Sequence, residues 1–208
     1  LVGLILSLAL VGCSVVDLVP QNLQNLDDVS YAVVTAENEA FCSATKIGYE
    51  TLLTAQHCTN FPEKLHIRDR YGNVVKAEVI KSSTEHDLAL LAAPVDGPNA
   101  YLGQKPQRWT EVFVVGFPSG LAKFLTKGEW QGEVMIKEGE TNKFYGMISA
   151  PIAPGNSGGG VFQFQNGRWY LVGVAQAVSV TALGGFVPNL IYHVGFVSDP
   201  YVLKEFLK

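Results

Sequence analysis

The sequence predicts an all-β molecule: two packed six-stranded antiparallel β-barrels closed by one short C-terminal helix. Three observations carry this expectation. Short runs of β-branched and aromatic residues recur every 8–12 residues or so, about the spacing of a barrel or sandwich. Twenty-one Gly and ten Pro are spread along the chain, marking frequent turns. One aperiodic stretch rich in Pro, Gly, Asn and Gln, residues 94–110, divides the runs into two sets of about six. Residues 29–93 are therefore assigned to a first barrel, 94–110 to a linker, and 111–208 to a second barrel and its helix.

The chain opens on residues 1–16, which carry no charge; the first charged residue is Asp17. A stable membrane span needs about 20 apolar residues, so this run fits better as the apolar part of a secretory signal whose basic leader lies upstream of Leu1. It ends in Leu10-Val11-Gly12-Cys13, which resembles a bacterial lipobox, and Cys13 is expected to be lipidated. The alternative is a buried Cys in an apolar helix. Ser14 after the Cys fits outer-membrane sorting. Residues 17–28, with Gln21, Asn22, Gln24 and Asn25, read as a polar tether. The expected location is the cell envelope, membrane-anchored.

Strands are expected at Val29–Ala36, Ala40–Ile47, Thr51–Thr54, Leu65–Arg68, Val74–Lys81 and Leu88–Ala92, where β-branched and aromatic residues lie between turn residues. A second set follows at Glu111–Val115, Gly132–Lys137, Phe144–Ala150, Val161–Gln165, Trp169–Ala177 and Tyr192–Val197. The single helix expected begins with Asp199 as cap and Pro200 in the first turn. Its apolar stripe is Val202, Leu203, Phe206 and Leu207.

Composition narrows the function classes. The chain is 48 % hydrophobic and 16 % charged, against about 25 % charged residues in ordinary globular domains, which excludes a disordered chain. The net charge of −4, without any Lys/Arg cluster, argues against nucleic acid. Three cysteines is an odd count for an exported protein. With Cys13 lipidated, Cys42 and Cys58 remain. As a disulfide they would close a loop of 17 residues, worth about 3 kcal/mol by loop-closure entropy in an oxidising compartment. Two free buried thiols are the alternative.

Three segments carry chemistry: Thr54-Ala55-Gln56-His57-Cys58, His86-Asp87-Leu88-Ala89-Leu90-Leu91, and Pro154-Gly155-Asn156-Ser157-Gly158-Gly159-Gly160. Acyl transfer by a serine needs an imidazole to take the hydroxyl proton, a carboxylate to hold the imidazole's tautomer, and backbone N–H groups for the oxyanion. Ser157 can be that nucleophile, His57 the imidazole and Asp87 the carboxylate, with Gly155 and Ser157 N–H groups as the oxyanion donors. Gly155 permits a backbone conformation that a Cβ would obstruct. Taken singly, His57 could be a core or turn histidine, Asp87 a cap, and the Gly-rich segment a hairpin. No Cys/His/Asp spacing resembles a zinc site, and this chemistry requires neither metal nor cofactor.

At these residues the chain resembles trypsin/chymotrypsin-fold serine proteases, and within them bacterial HtrA (DegP-type) proteases, which share the Gly-Asn-Ser-Gly-Gly motif. Gly116-Phe117-Pro118-Ser119-Gly120-Leu121 and Val194-Gly195-Phe196-Val197 extend the likeness, which runs from Val29 to Lys208. The resemblance implies a chymotrypsin-like pair of barrels and a serine endopeptidase acting on protein or peptide substrates. The Cys42/Cys58 pair resembles the disulfide that animal members carry around the catalytic His. Most HtrA proteins lack it, and two further features depart from the family. Asn156 stands where trypsin-like enzymes have an Asp that pairs with a freshly cut N-terminus. No PDZ domain is expected within this chain.

Specificity follows the same comparison. Trypsin reads basic substrates with an acid six residues before the nucleophile, where this chain has Pro151. Ile152, Ala153 and Ala175 are expected to line a small or apolar pocket, with Gln176 nearby, and to favour aliphatic P1 residues. Gly173, Val174, Ala175 and Gln176 are expected to pair with an extended substrate. A second functional reading is a binding lipoprotein on a protease fold, catalytically silent or active only with a ligand.

Overall fold

The computed structural model describes residues 21–60, 65–138, 141–176 and 194–208. The apolar run 1–16, with Cys13, lies outside the described residues, as do Ala177, Tyr192 and His193. The first sheet comprises β1 (Ser30–Val34), β2 (Ala40–Gly48), β3 (Thr51–Thr54), β4 (His66–Arg68), β5 (Val74–Lys76), β6 (Glu78–Ser83) and β7 (Leu88–Ala92). Its order is β5-β4-β1-β2-β3-β7-β6, antiparallel throughout. The outer strands β5 and β6 are separated only by Ala77, whose N–H donates to the Leu65 carbonyl at 3.0 Å. The strand expected at Val74–Lys81 is therefore broken at Ala77, and the chain itself closes the barrel there.

The second sheet comprises β8 (Tyr101–Leu102), β9 (Glu111–Gly116), β10 (Phe124–Glu138), β11 (Thr141–Ile148), β12 (Gly160–Gln165), β13 (Arg168–Gln176) and β14 (Gly195–Ser198). Six of them close a ring, β12-β9-β10-β11-β14-β13, through the β12–β13 pairing. The seventh, β8, lies in the stretch read as a linker and pairs parallel to β13. β10 starts eight residues before the strand expected at Gly132. Its first part pairs with β9 and its last with β11, and a bulge between Trp130 and Gly132 turns it from one to the other.

Alternation explains why so few strands face water. On β1, Tyr31 and Val33 enter the first barrel's core, while Ala32 and Val34 pack outward on Phe117. On β9, Val112 and Val114 enter the second barrel, while Phe113 and Val115 face the seam between barrels. Leu53, Leu88, Phe162, Trp169 and Val174 share that seam. Two-sided burial requires both registers to be right at once.

Among the described residues two α-helices, not one, complete the fold. Gln21–Asp28, read from sequence as tether, forms α1, and Leu26, 1 % exposed, enters the seam. Leu23 packs beside it one turn away. Lys123 ties α1 to the second barrel's loop by an ion pair to Asp27 at 3.0 Å, and Arg70 ties it to the first through Asp28 at 3.6 Å.

The second helix, α2 (Pro200–Phe206), is capped as expected: Asp199 accepts from the N–H groups of Tyr201 at 2.7 Å and Val202 at 3.4 Å. Leu203 and Phe206 enter the seam, and Lys81 of β6 donates to the Phe206 carbonyl. Burial, and then the neighbouring Glu133 carboxyl, push Asp199 up to about 6 from 3.8. The native carboxyl thus holds its proton to higher pH than the unfolded one. That contribution to stability is complete below pH 3.8 and is lost as pH rises through about 6. Glu133, hydrogen-bonded to Asp199 and paired with Lys105, is shifted the other way, so its contribution is lost as pH falls. Asp199→Asn keeps a capping side chain and removes the first titration. Relative to wild type, its unfolding free energy should rise between pH 4 and 6.5 or so in urea titrations; a flat difference would refute the assignment.

Candidate active site

His57 follows β3 on a 3-10 turn, Gln56–Thr59. The turn is fixed locally: Cys58 N–H donates to the Ala55 carbonyl at 3.2 Å and Thr59 Oγ1 to the Gln56 carbonyl at 2.7 Å. Asp87 stands immediately before β7 with φ of 48°, a left-handed conformation that Asp adopts more readily than most residues. Its carboxylate meets His57 twice. Oδ2 lies 2.8 Å and Oδ1 3.0 Å from Nδ1, and Oδ1 also accepts the His57 backbone N–H at 2.9 Å. This grip fixes the ring's orientation and assigns the Nδ1 proton of the neutral imidazole to the carboxylate side.

The Asp87 turn has a support that sequence reasoning placed elsewhere. Gln176, expected beside the specificity pocket, donates through Nε2 to the backbone carbonyls of His86 at 2.8 Å and Asp87 at 3.0 Å. It carries the second barrel's grip onto the first barrel's acid.

Ser157 is 3 % exposed and lies in a turn between β11 and β12. Gly155 has φ of +94° and Gly158 of +85°. A Cβ on Gly155 would fall 2.4 Å from the Phe117 carbonyl oxygen, and one on Gly158 would fall 2.0 Å from the Ser43 carbonyl oxygen. Both positions thus need glycine for conformation and for space. The serine turn is brought to the histidine turn across the barrels. Ser43 N–H donates to the Ser157 carbonyl at 2.8 Å, Thr54 Oγ1 donates to the Ser43 carbonyl at 2.7 Å, and Cys58 Sγ lies 3.7 Å from the Ser157 carbonyl oxygen.

Cys42 and Cys58 form a disulfide with Cα atoms 6.1 Å apart, pinning the histidine turn to β2. Both sulfurs and a His57 ring nitrogen lie within 4.8 Å of one another. Because the sulfurs are bonded to each other, they offer no thiolates to a metal.

The residues expected as the substrate edge lie on β13. Gly173 and Val174 pair with Val161 and Gly160 on β12, and Ala175 and Gln176 pair with Val197 and Phe196 on β14. Ala175 N–H donates to the Gly159 carbonyl, and its carbonyl accepts from Gly158 N–H, both at 2.8 Å. These pairings build the four residues into the wall of the second barrel. Of the residues expected to line the pocket, Ile152 packs half-buried on the cluster that contains Ala175, and the Ala153 carbonyl accepts Asn156 N–H at 3.0 Å.

Residues 32–174 match the profile of the trypsin-like peptidase domain. Nothing among curated protein sequences matches the chain significantly. Solved structures share its fold. Rv3671c from M. tuberculosis H37Rv, in an inactive form, superposes with a TM-score of 0.73 at 16 % identity, over 90 % of this chain and 88 % of that one. The HtrA-type protease AlgW with a tripeptide gives 0.69 at 24 % identity, over 89 % and 61 %. The serine endoprotease from Yersinia pestis gives 0.69 at 20 % identity, over 91 % and 66 %.

Proposed function

Because the chain belongs to the trypsin-like peptidase domain family, and so is a serine protease of the hydrolase class, we propose that it is an endopeptidase cleaving protein substrates through Ser157, His57 and Asp87. Ser157 Oγ attacks the scissile carbonyl while His57 Nε2 takes its proton and later returns it to the leaving amine. Asp87 holds the Nδ1–H tautomer and stabilises the imidazolium. The N–H groups of Gly155 and Ser157 receive the oxyanion. The observation that carries the reading is the two-oxygen grip of Asp87 on His57, on a turn packed against the Ser157 turn.

A small or aliphatic P1 residue is supported by Pro151, where an acid would be needed to read Lys or Arg, and by the apolar packing of Ile152 and Ala175. The test is labelling of the folded, oxidised protein with a fluorophosphonate and with peptide diphenylphosphonates ending in Ala, Val or Lys. Modification of Ser157, read by peptide mass spectrometry and fastest for Ala or Val, is the expected result. A folded protein that takes no label overturns it and favours the silent or ligand-activated binding reading.

Export and anchoring belong to the same proposal. The uncharged run 1–16 ending at Cys13 supports a lipidated N-terminus at the cell envelope. Among the described residues no helix is long and apolar enough to cross a membrane. Metabolic labelling with an alkyne fatty acid, lost in Cys13→Ser, is the expected outcome; label retained in that variant refutes the anchor.

A further inference from the structure

An oxyanion hole is only as good as the aim of its donors, and glycine holds its aim poorly unless neighbours fix it. With Asn156 in place of an acid, the Ser157 turn has no carboxylate to pair with a cationic N-terminus. Among the described residues no donor reaches Asn156 Oδ1 either. The direction of the Gly155 N–H is instead set by the two peptides that flank the glycine.

The peptide before Gly155 is fixed by its carbonyl: Ser119 N–H donates to Pro154 C=O at 2.6 Å. In a trans peptide the N–H points opposite to the C=O, so this contact turns the Gly155 N–H away from the Phe117–Gly120 loop. The peptide after Gly155 is fixed by Ser43, a β2 residue of the other barrel that is 1 % exposed. Its Oγ–H donates to Gly155 C=O at 2.7 Å, and the same oxygen accepts Phe117 N–H at 2.9 Å. The assignment of roles is forced, since a carbonyl only accepts and a backbone N–H only donates. One hydroxyl therefore fastens the Gly155 turn and also the loop that supplies Ser119.

We propose that the Ser43 hydroxyl is the positioning group of the oxyanion hole, clamping Gly155 between β2 and the Phe117–Gly120 loop so that its N–H faces the reacting carbonyl. This rests on the catalytic reading of Gly155 and Ser157. Ser43 touches no reacting atom; it acts through Gly155. Its loss lets the glycine peptide rotate, which weakens the transition state and spares ground-state binding.

The experiment compares wild type, Ser43→Ala and Ser30→Ala. Ser30 is a control of the same chemistry: a buried first-barrel serine whose Oγ donates to the Leu26 carbonyl at 2.8 Å and so ties β1 to α1. In Ser43→Ala, kcat for a peptide amide should fall by about 10- to 100-fold. KM should stay within about twofold of wild type. Affinity for a peptide boronic acid, whose tetrahedral adduct uses the hole, should fall by the same factor as kcat. Ser30→Ala should lower the melting temperature and leave kcat unchanged. If Ser43→Ala does not fold, the shape-matched pair Ser43→Thr and Ser43→Val isolates the hydroxyl, with kcat higher in Thr. Unchanged kcat and boronate affinity in folded Ser43→Ala, equal losses in Ser43→Ala and Ser30→Ala, or equal kcat in the Thr and Val pair would each overturn the proposal. A wild-type protein inert to fluorophosphonate would overturn the catalytic reading instead, so the two failures are distinct.

Discussion

Ser157→Ala is expected to lower kcat by about a millionfold while substrate binding survives. In the proposed mechanism the loss is this large because the nucleophile and its base act as a unit: without Oγ, His57 has no proton to take. The fold has little reason to change. The Ser157 carbonyl remains held by Ser43 N–H at 2.8 Å, and the backbone donors of Gly155 and residue 157 stay in place. They should support a residual rate about 10³–10⁴ above the uncatalysed one. Initial rates on a peptide amide, with melting temperature as a fold control, measure this. Turnover within tenfold or so of wild type in the variant would remove Ser157 from the mechanism.

Asp87→Asn should lower kcat by about 10⁴ at neutral pH with little change in stability. The native carboxylate offers two acceptors, and His57 uses both: its backbone N–H at 2.9 Å and its Nδ1 at 2.8 and 3.0 Å. A carboxamide has one acceptor and one donor. If its oxygen keeps the backbone N–H, its NH₂ faces Nδ1 and drives the ring proton to Nε2, the nitrogen that must accept from Ser157. Gln176 continues to hold the carbonyls of residues 86 and 87, so the turn itself should persist. A loss below about tenfold in a folded variant would show that Asp87 does not set the tautomer.

What was legible in the sequence was chemistry borne by residue type and strands with clean alternation. The triad candidates His57, Asp87 and Ser157 stand out because few residue types can do the work proposed for them, and Gly155 and Gly158 because few can take their conformations. The supporting residues were hidden by distance along the chain. Ser43 meets Gly155 across 112 positions, and Gln176 meets His86 across 90. No local pattern marks a residue whose partner is that remote. α1 was missed because its polar composition outweighed the Leu23/Leu26 pair that packs it. The first half of β10 was missed because Gly128, between Lys127 and Glu129, interrupts the apolar pattern; its place is fixed by pairing with Val112 on β9. Ala77 could break its strand because the barrel must close there, a demand of the whole sheet.

If Cys13 is lipidated as proposed, the docking of α1 sets how far the enzyme can stray. With α1 held to the body of the protein through Leu23, Leu26, Asp27 and Asp28, a leash from a lipidated Cys13 would run eight Cα steps to Gln21, where the polar composition suggests one running to Asp28. Fully stretched at about 3.5 Å per residue, eight residues span roughly 28 Å. An enzyme lipidated at Cys13 would therefore sweep a shell about one domain deep above the bilayer. It would patrol proteins whose chains lie against the membrane surface, and substrates dissolved farther out would have to come to it.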